Sequence, residues 1–250
     1  MEHAGRIYPA AVESGPPASL VEAAGSAPLD ADLLDAGRPH VEEVARRTPG
    51  LHDGPVLALD HLDGELLHTR PSSYLATLAT TDTLRAEWQR QGMGPLRTRA
   101  HELADPDPLR NGHGRAAGVG LAVVTTFGGR VLLGRRSGAV AADPGLWHVA
   151  PSGMLEPGVD LVDQIQRELE EELGLDTGWS GRALGLGFDL LRLRPEVCWA
   201  LEPLDEPELR LGDEFTEGCW IDPTGDWPED LTPAAAAALA LFSGSLSPGQ

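Results

Sequence analysis

The chain has 250 residues, of which 41% are hydrophobic, and it carries 39 acidic residues against 19 basic ones, all of them arginine. That length and hydrophobic content allow one large domain, or a domain with a sizeable extension. A formal net charge of −20 argues against nucleic acid or an anionic membrane as the main partner. An anionic substrate would therefore have to be bound by a metal ion and a few local arginines.

The cysteines and the N-terminus indicate a reducing compartment. Cys198 and Cys219 lie in apolar, strand-like segments, which predicts buried thiols and no disulfide framework. The N-terminus lacks a basic segment followed by an apolar one, and the longest apolar run, over 234–242, is too short to cross a membrane. We therefore expect a soluble, cytoplasmic protein, and the sequence leaves its oligomeric state open.

The first 116 residues are expected to form a lead-in and an α+β extension. Residues 1–28 are rich in Ala, Gly, Pro and Ser, which predicts a flexible lead-in with one short edge strand near residues 6–8. Within residues 29–116, Asp63-Gly64 between two apolar runs predicts a β-hairpin. The expected elements are a helix over 31–47 or two short helices divided at Pro39, strands over 55–62 and 65–70, a strand or ordered loop over 73–80, and a helix over 83–91 ended by Gly92.

A second domain is expected over residues 117–243. Phe127-Gly128-Gly129 lies between two apolar runs and predicts a hairpin of strands 119–126 and 130–133. The remaining expected elements are a segment over 146–150, a helix over 161–173, strands over 183–191, 197–201 and 218–221, a C-terminal helix over 233–242 and a disordered tail over 244–250. Strands mixed with helices in this way indicate the α/β class.

The helix predicted over residues 161–173 concentrates carboxylates on one side. Asp160 is a candidate N-cap, and Gly174 is a candidate C-terminal stop. Ile165, Leu169 and Leu173 then form an apolar stripe with Val162, and Glu168, Glu171 and Glu172 lie on an adjoining stripe. These like charges repel one another unless a cation compensates, and hard oxygen ligands in this number suit Mg²⁺ or Mn²⁺. The alternative is an acidic helix face exposed to solvent.

The stretch from Gly153 to Leu175 resembles a Nudix box. That pattern is a glycine, five residues, a glutamate, seven residues, Arg-Glu, an aliphatic residue, any residue, two glutamates, any residue, a glycine and an aliphatic residue. The matching positions are Gly153, Arg167, Glu168, Leu169, Glu171, Glu172, Gly174 and Leu175. Val159 stands where the family has its first glutamate, which pairs with the box arginine. The resemblance therefore implies that Arg167 needs another partner, and Asp160 is one candidate.

The resemblance also implies a fold and a reaction. The fold would be the Nudix α/β/α sandwich with a mixed sheet, preceded by the N-terminal extension. The Gly153 carbonyl with Glu168, Glu171 and Glu172 would bind Mg²⁺ (or Mn²⁺), and Glu168 would be the first choice of general base, followed by Glu217 or Glu214. The substrate would be a small nucleoside diphosphate linked to another moiety, and the enzyme would hydrolyse its pyrophosphate bond.

Three further residues are candidates for substrate binding. Arg135 and Arg136 follow the first core hairpin and could bind phosphate oxygens, although pairing with the acidic surface would also explain them. His148 precedes the box and could contact substrate, or it could be a structural histidine whose hydrogen bonds are satisfied.

Several shorter pieces are similar to a Nudix subgroup that cleaves UDP-glucose and UDP-galactose. They are Ser73-Tyr74, Arg90-Gln91-Gly92, Ala104-Asp105-Pro106, Arg135-Arg136-Ser137 and Pro144-Gly145-Leu146. This similarity implies hydrolysis of a UDP-sugar to UMP and a sugar 1-phosphate. One alternative is an allylic diphosphate isomerase, but neither cysteine has the sequence setting of that catalytic residue. The other is a non-enzymatic Nudix-fold ligand-binding or regulatory protein, which Val159 favours and the three glutamates disfavour.

Overall fold

The computed structural model describes residues 1–15, 19–26, 28–64, 66–176 and 178–246. Its strands are β1 (Glu2–His3), β2 (Arg6–Ile7), β3 (Ala10–Ser14), β4 (Ser19–Glu22), β5 (Pro55–Asp63), β6 (Leu66–Ser73), β7 (Gly120–Phe127), β8 (Arg130–Arg136), β9 (Trp147–Val149), β10 (Ser152–Met154), β11 (Trp179–Asp189), β12 (Arg194–Pro203) and β13 (Phe215–Ile221). Its helices are α1 (Ala31–Arg47), α2 (Tyr74–Thr77), α3 (Thr83–Gln91), α4 (Pro95–Leu103), α5 (Leu161–Leu173) and α6 (Pro233–Leu246), with a π-helical turn over Leu78–Asp82.

The largest sheet in the described part of the chain has eight strands. Six of them follow the order β13-β8-β7-β12-β11-β3, with β9 added to β8 and β10 added to β7. Strands β7 and β12 are parallel, whereas the other neighbouring strands of this sheet are antiparallel. The predicted α/β class with a mixed sheet is therefore confirmed.

The central strands of this sheet are covered on both faces. Successive side chains of a strand point to opposite faces, so Leu121 and Val123 of β7 pack in one apolar cluster with α5. Ala122 and Val124 pack in the other cluster, against the alanine-rich helix α6. The small side chains of α6 allow its backbone to lie close to the sheet, and the result is the expected α/β/α sandwich.

An N-terminal unit, β4 to α4, adjoins the sandwich. It contains the sheet β4-β6-β5, and the predicted hairpin of β5 and β6 is confirmed, although Glu65 lies outside the described residues. Leu57 of β5 donates a backbone hydrogen bond to Leu155 (2.7 Å) and accepts one from Val119 (2.8 Å). Leu57 also belongs to the same buried cluster as α5. The N-terminal unit is thus tied directly to the segment that follows β10. A domain boundary at residue 116 stays a prediction.

The structure decides three local expectations. The alternative of one helix over 31–47 is confirmed, since α1 continues through Pro39 as a helix of 17 residues with Leu33 and Val44 buried on either side of the proline. Residues 74–82 are helical, since the Ser73 side chain caps α2 by accepting from the Ala76 N–H (3.3 Å). The expected short strand near residues 6–8 is present as Arg6–Ile7 and pairs with Glu2–His3, and the edge strand of the large sheet is residues 10–14, paired with β11.

The C-terminal helix extends further than its apolar pattern predicts. It ends at Leu246, not at residue 242, and residues 247–250 of the predicted disordered tail lie outside the described residues. None of the helices described has both the length and the apolar character needed to cross a bilayer.

Candidate active site

Helix α5 presents the acidic stripe at a fixed position. The Asp160 side chain caps its first turn by accepting from the Val162 N–H (2.8 Å), and Gly174 ends it in the left-handed region with φ of 65°. Ile165, Leu169 and Leu173 are buried against the sheet. These anchors fix the rotation of the helix, so Glu168 and Glu172 lie against strand β10 and Glu171 lines a cavity. Glu170 is exposed, as the helical period predicts.

Glu168 lies directly against the glycine that begins the box. A Cβ atom on Gly153 would lie 2.8 Å from Glu168 Oε1, so no side chain fits there without displacing the carboxylate. Gln164 holds this arrangement by donating to Glu168 Oε1 (3.4 Å) and to the Met154 carbonyl (2.7 Å). Burial raises the pKa of Glu168 to about 7. Its carboxylate can therefore exchange a proton near neutral pH.

Glu172 is the most deeply buried of the three glutamates. Only 4% of it is exposed, and it accepts a hydrogen bond from the Ser152 backbone N–H (3.1 Å). Burial, together with the nearby charges of Glu214 and Glu168, raises the pKa of Glu172 well above its usual value. Glu171 lines the open side of the same site. The described residues include no ready-made set of three His, Cys, Asp or Glu side chains in metal-binding geometry. The glutamates are neighbours whose oxygens do not converge on one point.

Arg167 has a partner that the sequence analysis did not identify. Its guanidinium donates to both oxygens of Glu156, at 2.6 and 3.3 Å. Arg167 therefore has another partner, as expected, but the candidate Asp160 was wrong, because Asp160 is engaged as the helix cap. Glu156 lies three residues before Val159, on the same connection between β10 and α5. This spacing could have identified Glu156 from the sequence, because a carboxylate three residues before position 159 can reach the same arginine.

A cavity of about 690 Å³ opens between α5 and the N-terminal unit. From the sandwich it is lined by Arg136, His148, Gly153, Glu168, Glu171 and Glu214, among others. From the N-terminal unit it is lined by His52, Tyr74 and Asp82, with neighbouring residues. The N-terminal unit therefore forms one side of the space in front of the box carboxylates. The volume suits a small organic ligand.

The structure brings Arg136 and His148 into this cavity. Arg136 donates to the Ala142 carbonyl (2.9 Å) and lies 3.5 Å from Glu214. His148 is 9% exposed, and its Nδ1 atom has no hydrogen-bond partner among the described residues. Burial, with the charges of Arg136 and Arg194, lowers the pKa of His148 well below its usual value. The imidazole is therefore neutral at physiological pH.

Arg135 and Glu217 lie elsewhere. They are paired with each other at 3.7 Å, and Arg135 also lies 3.3 Å from Asp230 and over the ring of Trp147. Neither belongs to the described residues that line the cavity. Alternate residues of a strand face opposite sides, so Arg136 points to the cavity and Arg135 does not. Glu214, before β13, is the glutamate of this region that lines the cavity.

Tyr74, Arg194 and Glu196 also line the cavity but were not singled out as site residues from the sequence. Arg194 and Glu196, both on β12, form a buried ion pair at 3.0 Å. Glu196 lies over Gly120 of β7, where any Cβ atom would overlap its carboxylate. Burial raises the pKa of Glu196. The sequence spacing could not predict that this pair belongs to the site. Arg194 and Glu196 are more than 40 positions from Gly153 in the sequence, and the pairing of β12 with β7 brings them close to it.

Comparison with known proteins places the chain in a family. The model of the NUDIX domain family matches residues 114–242, just over half of the chain. The chain belongs to the Nudix family. Among curated proteins, it is 35% identical over 100 residues to the m7GpppN-mRNA hydrolase NUDT17 of Xenopus laevis. That match covers 38% of this chain and 33% of the relative, so the chain spans about a third of the length of the relative it matches.

Solved structures of other proteins are also similar to this one. An ADP-ribose pyrophosphatase from Streptococcus suis is 19% identical, with a TM-score of 0.41, over 53% of this chain and 95% of that protein. A MutT Nudix hydrolase from Burkholderia pseudomallei is 26% identical, with a TM-score of 0.40, over 50% of this chain and 96% of that protein.

Proposed function

We propose that this Nudix protein is a metal-dependent hydrolase that cleaves the pyrophosphate bond of a nucleoside diphosphate linked to another moiety. The observation that carries the proposal is the shared cavity of the box carboxylates and a cationic side chain. Glu168 and Glu171 line the cavity together with Arg136. A pyrophosphate has oxygens for both a cation site and a guanidinium, so this combination supports it as the reacting group.

The donor set fits a hard divalent cation. Glu168, Glu171, Glu172 and the Gly153 carbonyl would hold Mg²⁺ or Mn²⁺, since their oxygens are the ligands such ions prefer. Gly153 leaves room beside Glu168 that any side chain would fill. When bound, the ion would neutralise charge on the pyrophosphate and lower the pKa of a water molecule. The bound cation would also stabilise the ionised forms of Glu168 and Glu172, whose pKa is raised by burial in its absence.

The side chains of the site would divide the remaining work. Glu168 would accept the proton of the attacking water, because its carboxylate lines the cavity beside the other proposed metal ligands. Glu214 would be the second candidate base, because it lines the cavity, whereas Glu217 is paired with Arg135 outside it. Arg136 would bind a phosphate oxygen in place of its long contact with Glu214.

Within this class, we propose a UDP-sugar as substrate, with UMP and a sugar 1-phosphate as products. Two pieces of sequence similarity to the UDP-sugar subgroup meet at the cavity. Tyr74 lies on the N-terminal unit, Arg136 ends strand β8 and Ser137 follows it, yet all three line the same space. Residues separated by more than 60 positions that share one cavity are consistent with one substrate contacting both.

The test is a panel of substrates with Mg²⁺ or Mn²⁺, with the products resolved by chromatography. The panel would contain UDP-glucose, UDP-galactose, ADP-ribose and, because of the Xenopus relative, a capped dinucleotide. We expect metal-dependent release of UMP and sugar 1-phosphate, and no release by Glu171→Gln. Turnover of another member alone would replace the UDP-sugar assignment. Tight binding of a panel member without any turnover would support the ligand-binding alternative.

A further inference from the structure

The connection between β8 and β9 forms an unusual side of the cavity. Its residues 139–142 are Ala-Val-Ala-Ala, and all four line the cavity. We call this segment the apolar wall. The carboxylates and Arg136 supply the polar lining of the same space. The cavity therefore combines a charged region, where the reacting phosphates would lie, with a region that offers methyl groups.

Three backbone carbonyl groups of the apolar wall accept hydrogen bonds from arginine side chains. Arg47, in the last turn of α1, donates to the carbonyls of Val140 (2.9 Å) and Ala141 (2.6 Å). Arg136 donates to the carbonyl of Ala142 (2.9 Å). Three successive acceptors are thus satisfied by protein donors, so the segment can offer its side chains to a ligand. Arg47 belongs to the N-terminal unit, so that unit holds the wall in place.

The end of the apolar wall is anchored through a buried charge cluster. Asp143 lies 3.1 Å from Arg192 and is in contact with Arg85 of α3. Arg192 also binds Asp82 at 2.9 Å and Asp189 at 2.8 Å, and only 1% of it is exposed. Arg85 and Asp82 belong to the N-terminal unit, and Asp189 and Arg192 belong to the sandwich. The wall is therefore fixed where these two parts of the chain meet.

We propose that the apolar wall packs against the uncharged ring, a nucleobase or a sugar, of the substrate, and that Arg47 is a positioning residue for this specificity surface. This inference rests on the proposed function. Rings of this kind have apolar faces, and small side chains leave space for a flat group where larger ones would fill it. Arg47 would act through the wall, without touching the reacting phosphates.

The test compares Arg47→Ala with Arg46→Ala in the full chain. Arg46 is the matched control, because it is the neighbouring arginine and, among the described residues, its hydrogen bond goes to the Glu42 carbonyl of its own helix. We expect Arg47→Ala to raise KM for the best substrate about tenfold with little change in kcat, since binding of the ring is lost equally in ground and transition states. Arg46→Ala should match the wild type.

Inhibition by inorganic pyrophosphate separates the wall from the phosphate site. Pyrophosphate has no ring, so its inhibition constant should be the same for Arg47→Ala and the wild type. A second variant, Ala139→Leu, adds bulk at an exposed position of the wall and should raise KM without affecting pyrophosphate inhibition. Equal KM values for Arg47→Ala and Arg46→Ala, or weaker pyrophosphate inhibition in Arg47→Ala, would overturn the inference.

The same measurements distinguish this inference from the proposed function. If the wild type hydrolyses none of the substrates, the proposed function fails. The dissociation constants of UMP and AMP, measured by calorimetry, would then still test the wall. They should be higher for Arg47→Ala than for Arg46→Ala. If the wild type is active and the two variants behave alike, the reaction stands and the role of the wall is wrong.

Discussion

Glu156 and Arg167 form a bidentate ion pair across the connection from β10 to α5, with the shorter contact at 2.6 Å. The pair replaces a contact that the Nudix pattern assigns to the residue at position 159, which is valine here. Because Glu156 follows Gly153 by three residues, the pair ties the carboxylate helix to strand β10, which contains the box glycine. We infer that Glu156 supplies the carboxylate that position 159 lacks, so that Arg167 still has an acidic partner in this connection.

Replacing Glu156 by Gln should weaken metal binding and turnover together. The amide keeps the size of the side chain but removes the charge that holds Arg167, so the connection that joins β10 to α5 loses its support. We expect a loss of about tenfold or more in apparent Mg²⁺ affinity, as for other residues that orient metal ligands. The measurement is turnover as a function of Mg²⁺ concentration.

The double variant Glu156→Gln, Val159→Glu provides the control for this pair. It returns a carboxylate at the family position, and we expect it to recover part of the lost affinity. Val159→Glu alone should give no gain, because Arg167 is already paired. Stronger Mg²⁺ binding by Val159→Glu alone would show that the Glu156 pair does not fill this role.

Glu171→Gln and Glu172→Gln should each lose most activity while the fold survives. Both carboxylates belong to the proposed metal set, and glutamine conserves their shape. Relief of like-charge repulsion should leave the melting temperature of the metal-free protein unchanged or slightly raised. Glu170→Gln, exposed on the same helix, is the matched control and should retain activity. Full activity of both variants would contradict the proposed metal site.

Protonation of Glu168 should contribute stability to the metal-free protein as the pH falls from about 7 to 4.5. Burial raises the pKa of Glu168 from its usual 4.5 to about 7, so in this window the folded state binds protons that the unfolded state does not. This contribution of Glu168 to the free energy of unfolding therefore falls as pH rises, and it is lost as the pH passes about 7. Urea midpoints with chelator at pH 5 and pH 8 should differ less for Glu168→Gln than for Glu170→Gln. Equal differences would exclude this titration.

Replacing either cysteine by Ala should leave turnover within about twofold of the wild type, because neither thiol lines the cavity in the described part of the chain. Cys198 is fully buried between the sheet and α6, and burial raises the pKa of its thiol. Its loss should cost about 1 kcal/mol of stability through the small void created. A Cys198→Ala or Cys219→Ala protein that folds normally but turns over no substrate would favour an isomerase.

Arg192→Met should destabilise the protein by about 3–5 kcal/mol. The substitution leaves three buried carboxylates, those of Asp82, Asp143 and Asp189, without their shared cation. Arg210→Met, at an exposed arginine, should cost less than about 0.5 kcal/mol. Urea unfolding monitored by circular dichroism measures both. A cost below about 1 kcal/mol for Arg192→Met would show that the cluster contributes little to joining the two parts of the chain.

Local patterns were sufficient for the elements that a single period or turn specifies. The bounds of α5, its Asp160 cap and its Gly174 stop follow from residues within one short segment, as do the β5–β6 hairpin and the mixed sheet class. Residues 74–82 were missed because their Leu, Ala and Thr content fits a strand equally well. The cap from Ser73 and the packing of this segment against α1 decided for a helix.

The sequence by itself determined the carboxylate face of α5 and membership of residues 114–242 in the Nudix family, because both depend on spacing along the chain. Only the tertiary structure decided which charges meet. Strand alternation turned Arg136 into the cavity and Arg135 away from it, loop geometry gave Arg167 to Glu156, and packing of the N-terminal unit placed Tyr74 and Arg47 beside the site. These contacts join residues from 11 to more than 90 positions apart, and side-chain direction and strand pairing fix such distances where composition and periodicity do not.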